Sequence, residues 1–118
     1  MESKKAEKIV ILPMPTIHNI RTAVSKAIGD NYTLETLLET DLVDFEKDDW
    51  QYKLKDRLIS LIDKYGDRTI YFVMVGHPLV NAIMVKYAQE TLKKAIWLLG
   101  WDSMRRKYKL VNLPYEVE

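Results

Sequence analysis

Apolar and polar positions divide the chain into alternating segments of strand and helix character. Ile9-Val10-Ile11-Leu12 is a short continuous apolar run rich in β-branched residues, as expected of a strand buried on both faces. Pro13 ends it and Pro15 keeps the connection extended. Thr16 then stands as N-cap of a helix with apolar positions Ile17, Ile20, Val24, Ala27 and Ile28, closed by Gly29. Tyr32 to Leu38 reads as a second strand. Beyond it, with Asp44 as candidate N-cap, a helix is predicted from about Lys47 to Tyr65. Trp50, Leu54, Leu58, Leu61, Ile62 and Tyr65 form its stripe, and Gly66 closes it.

Thr69 to Val75 is the clearest strand, carrying only β-branched, aromatic or apolar residues. It runs into Gly76-His77-Pro78, where Pro78 suits the first position of a helix Leu79 to Lys94. That helix is so apolar that burial by the sheet and by a second subunit is expected. Ala95 to Leu99 makes a fourth strand, Gly100 to Ser103 a turn, and Lys107 to Leu113 alternates with period two, as an antiparallel last strand would. The sum is a single α/β domain over residues 1–118, Rossmann-like and three-layered, with a frayed start at 1–7. Its sheet of about five strands is mostly parallel and ends in a C-terminal antiparallel hairpin.

Composition narrows the functions this fold could carry. At 118 residues and 47% hydrophobic content the chain supports one core and one domain. Eighteen basic against seventeen acidic residues leave a net charge of +1, which provides no field for general nucleic-acid binding. The absence of cysteine and the presence of only two histidines exclude a disulfide scaffold and a thiol nucleophile, and no metal or other cofactor is expected. Without a long apolar run or a signal-like start, the expected location is cytoplasmic, with no membrane partner. The charge is nonetheless segregated. Residues 30–49 hold eight acids against Lys47 alone, whereas residues 84–109 hold seven bases against Glu90 and Asp102. Solvated faces explain such runs; so does a basic stretch that meets an anion or a partner.

In an open parallel sheet, ligands bind beyond the carboxyl ends of the strands, where strand order reverses, beside the first strand in the usual windings. The relevant loops are Pro13 to Asn19 and Gly76 to Asn81, and they contain both histidines, His18 and His77. Each opens a helix whose free N–H groups favour an anion. Gly76 permits close approach of a ligand, and Thr16, Asn19 and Asn81 can donate hydrogen bonds. The same residues have plainer readings: His77 as a turn residue before Pro78, His18 as an exposed first-turn residue, Asn81 as a partner for backbone groups. The chain has no G-x-G-x-x-G, G-x-x-x-x-G-K-[ST] or G-x-S-x-G motif, which disfavours a dinucleotide site, a P-loop and a hydrolase elbow. Arg105-Arg106-Lys107 is the densest basic cluster. It is either a surface turn or a phosphate clamp, with Trp97, Trp101 and Tyr108 near enough in sequence to stack on a base.

With its short first strand and polar Pro-containing loop (Ile9 to Asn19), its Gly76-His77-Pro78-Leu79-Val80-Asn81 turn, and its tail of Ala95 to Leu99 and Arg106 to Leu113, the chain resembles the small CRISPR-associated, CARF-related proteins of type III systems. The resemblance implies a homodimer with the loops of strands 1 and 3 around a two-fold axis, across which a cyclic oligoadenylate, expected to be the symmetric cyclic tetra-adenylate, would lie. Some members only sequester the ring. Others are metal-independent ring nucleases, in which a ribose 2'-hydroxyl attacks the adjacent phosphorus to leave a 2',3'-cyclic phosphate. Carried onto this chain, His18 or His77 would transfer the proton and Arg105 or Arg106 would neutralise the phosphorane charge. Met14, Thr16, Asn19, Gly76, Pro78, Asn81 and Arg106 would hold the ligand. Two other readings stand beside it. One is a structural or DNA-associated α/β protein acting through Arg105 to Lys109. The other is a metal-assisted phosphoesterase using Asp41, Asp44, Asp48 and Asp49, disfavoured because those acids belong to a solvated loop and a helix start.

Overall fold

A computed structural model describes residues 8–16, 19–40 and 43–116. Its elements are β1 (Lys8–Leu12), α1 (Arg21–Ile28), β2 (Tyr32–Thr36), α2 (Asp49–Tyr65), β3 (Thr69–Val73), α3 (Pro78–Leu92), β4 (Ile96–Asp102) and β5 (Lys107–Leu113). The five strands form one sheet in the order β2-β1-β3-β4-β5. β1 is parallel to β2 and β3, β3 is parallel to β4, and β4 with β5 forms the antiparallel hairpin. The domain is Rossmann-like α/β.

Alternation along the strands divides the core in two. Ile9, Ile11, Ile70, Phe72 and Ile96 pack with Leu54, Leu58 and Leu61 of α2 and Val80, Met84 and Ala88 of α3. On the other face Val10, Leu12, Val73 and Leu99 meet Ile20, Val24 and Tyr108. This division follows from right-handed crossovers: β1 to β2 runs one way across the sheet and the later connections run the other, so α1 lies opposite α2 and α3. Because α3 shares its core with α2, Ile83, Val85, Tyr87 and Leu92 are at least partly buried within the chain itself. Leu79 is the large apolar residue of that helix left exposed, at 47%. The apolarity assigned from sequence to a second subunit is thus largely used within the chain.

Several boundaries move, each for a local reason. Thr16 precedes the first helix without capping it. The helix starts at Arg21, whose backbone N–H donates to the Asn19 side-chain oxygen at 3.2 Å. Asp44 likewise makes a turn of its own, with Oδ1 accepting from Glu46 N at 3.1 Å, and α2 begins later, at Asp49. β4 extends through Gly100, which pairs with Lys109, so the turn falls at 103–106 rather than 100–103. There Asp102 Oδ1 accepts from the backbone of Met104 and Arg105, and Arg106 takes a left-handed φ of 53°. Among the described residues no helix is long and apolar enough to cross a membrane.

Candidate functional site

Strand order reverses between β1 and β3, and the loops leaving them lie side by side at the carboxyl edge of the sheet. Gly76 joins the two loops. Its φ of +76° is the left-handed conformation that side chains resist, and a Cβ there would lie 2.6 Å from Met14 Sδ. Met14 is itself buried, at 3% exposure. It therefore serves as the packing surface beneath Gly76.

His77 is the N-cap of α3: its Nδ1 accepts from Leu79 N at 3.1 Å. An Nδ1 lone pair used in this way puts the imidazole proton on Nε2, which is left as a donor. The ring also packs against Phe45, with centroids 4.4 Å apart. Phe45 in turn meets Trp50 edge-on at 5.6 Å. The acidic β2–α2 connection thus reaches across to the β3–α3 loop, and three connections converge at this edge. Phe45 carried no sign of this in the sequence, because its role depends on a contact between loops remote from one another along the chain.

Asn81 is buried, at 6% exposure. Its Nδ2 donates to Val75 O at 2.9 Å and His77 O at 3.1 Å, tying the loop to the helix. Its Oδ1 has no hydrogen-bond partner among the described residues. The N-terminus of α3 is less open to an anion than the sequence suggested. Pro78 has no N–H, that of Leu79 is taken by His77, and that of Asn81 bonds to His77 O at 3.1 Å. Beside them the helix dipole and the Nε2 of His77 remain on offer. Asn19 is exposed with its oxygen turned to Arg21 N, Thr16 is half-buried, and Pro78 is exposed. His18 lies outside the described residues.

Arg105 and Arg106 are exposed at the tip of the β4–β5 hairpin. Leu99 is level with Val73, and β4 continues three residues further, so the tip stands roughly 10 Å beyond the carboxyl edge. Arg105 is already paired with Asp102, Nη1 to Oδ2 at 3.2 Å. The backbone N–H of Arg105, followed by further bonds from the Arg105 side chain and Met104 and by the charge of Lys107, holds the Asp102 carboxyl below its ordinary pKa. Trp97 is 37% and Trp101 52% exposed, the latter edge-on to Tyr108 at 5.3 Å. Burial pushes the Tyr108 hydroxyl above its ordinary pKa.

A groove lies elsewhere on the same edge, at the end of β2. It measures about 1010 Å³ and is lined by Leu37, Leu38, Val43 and Trp50 with the acids Glu39, Asp44, Asp49 and Asp56 and the bases Lys47, Lys53 and Arg57. Among the described residues no three His, Asp or Glu side chains are grouped to hold a metal. Comparison with protein-family models, curated proteins and solved structures finds no match.

Proposed function

We propose that the chain binds a cyclic oligoadenylate at the carboxyl edge of its sheet, between two copies of itself, and acts mainly by sequestering it. The observation that carries this reading is the convergence of the β1, β2 and β3 connections at the point of strand reversal, where His77 is oriented by its capping bond and covered on one face by Phe45. An Nε2–H donor beside a helix N-terminus suits a phosphate oxygen. In the same tautomer His77 cannot accept the proton of a 2'-hydroxyl through Nδ1 without giving up its cap. Cleavage would therefore be slow, with His77 acting on the phosphate and not as the base.

Gel retardation of radiolabelled cyclic tetra-adenylate tests the proposal. Retardation at micromolar protein, with little linear product after long incubation, is the expected result. Free migration of the nucleotide at that concentration would rule the proposal out. The DNA-associated alternative predicts duplex binding that falls steeply with salt, and the pairing of Arg105 with Asp102 leaves it fewer free charges.

A further inference from the structure

We infer that two copies of this chain associate edge to edge, each placing its β4–β5 hairpin tip into the groove at the end of β2 of the other. This deepens the dimer part of the proposed function and does not require the nucleotide. The tip offers apolar and basic side chains, and the groove offers an apolar floor with an excess of acids at its rim. The tip projects past the carboxyl edge and carries Met104, 89% exposed, with Trp101 beside it and Arg105, Arg106 and Lys107 around it. The groove has an apolar floor of Leu37, Leu38 and Trp50; on its rim Lys53 is paired with Asp49 and Arg57 with Glu35, which leaves Glu39, Asp44 and Asp56 against Lys47. At about 1010 Å³ it is at the top of the range for small-ligand clefts, large enough for several side chains of a partner. Three acids of residues 30–49 line the groove, and three bases of residues 84–109 surround the tip.

The groove belongs to one edge strand of the sheet and the tip to the other. Four strand spacings separate them, roughly 19 Å, so a tip cannot fill the groove of its own chain. The topology does permit a mutual exchange. β3 is the central strand, and a two-fold axis normal to the sheet at its carboxyl end sets the β2 edge of one copy against the β5 edge of the other. Both tips then enter both grooves, and the loops holding Gly76 and His77 face their counterparts at the axis. Projection of the tips keeps the two edges apart and leaves space between them for a ligand.

Because the native chain has no cysteine, the arrangement can be tested by cross-linking. Met104→Cys and Glu39→Cys single variants, mixed and oxidised with copper phenanthroline without nucleotide, should give a disulfide-linked dimer containing one chain of each kind. Either variant alone should give far less. Both positions are exposed, so neither substitution disturbs the core. In sedimentation equilibrium, Met104→Glu/Arg106→Glu should weaken dimerisation at least about tenfold, and Glu39→Lys/Asp56→Lys in the partner should restore most of it. A wild type that stays monomeric at high micromolar protein, or cross-linking no greater in the mixture than in the single variants, would overturn the interface. Retained cyclic tetra-adenylate binding in that case would show that the nucleotide reading survives without it.

Discussion

At the scale of single residues, Gly76 and His77 do the structural work that makes the β3–α3 loop a platform. A Cβ at position 76 meets Met14 Sδ at 2.6 Å and must also adopt a φ of +76°. Gly76→Ala is therefore expected to lose about 1–2 kcal/mol of stability, read as a lower urea midpoint at unchanged slope. His77→Ala removes the cap as well as the ring and should lose about 1 kcal/mol. His77→Asn retains a capping oxygen and should lose less stability than the Ala variant, only the ring's packing on Phe45, while cyclic tetra-adenylate affinity falls about tenfold for want of the Nε2 donor. Equal affinity in the wild type and the Asn variant would reduce His77 to a cap. Sequence reading located both residues because Gly before a His-Pro helix start is a local signal. It could not show that the cap occupies Nδ1, which depends on the ring's rotamer.

At the scale of elements, patterning was most legible where local chemistry and tertiary packing agree. The bounds of Lys107–Leu113 and the stripe from Trp50 to Tyr65 stand as read, although the strand does not alternate in burial: Tyr108 is buried while Leu110 and Val111 are exposed. The first helix and the fourth strand were displaced because side-chain-to-backbone bonds, from Asn19 and Asp102, decide where an element begins or a hairpin turns. Asp102 makes the hairpin turn pH-sensitive. Its carboxyl is held below the ordinary value in the folded chain, so its contribution is complete above about pH 4 and is lost as pH falls through the depressed value. Amide exchange of Met104 and Arg105 should accelerate only on that acid limb, relative to the base exchange trend, and Asp102→Asn should flatten the response. Unchanged protection at the lowest pH tolerated by the fold would contradict this. Tyr108 acts in the opposite direction. Its hydroxyl is raised by burial, so ionisation opposes folding once pH passes about 10, visible as late phenolate absorbance.

At the scale of the whole molecule, a net charge of +1 hides an acidic β2–α2 connection and a basic β4–β5 hairpin tip, which the topology carries to opposite edges of one sheet. That placement was not legible in the sequence, because strand order is a property of the crossovers and not of any strand. It separates selective anion capture from general nucleic-acid binding: affinity for duplex DNA at physiological salt should be negligible beside that for cyclic tetra-adenylate. Comparable affinities in fluorescence anisotropy would favour the DNA-associated reading. Where the nucleotide binds decides most directly whether the carboxyl edge is its site. Titrating isotope-labelled protein with cyclic tetra-adenylate and following backbone amides by NMR measures this. Saturable shifts centred on Asn19, Gly76, His77 and Leu79 are expected. Shifts confined to the amino edge of the sheet, around Arg68 and Lys94, or no shifts at all, would contradict it.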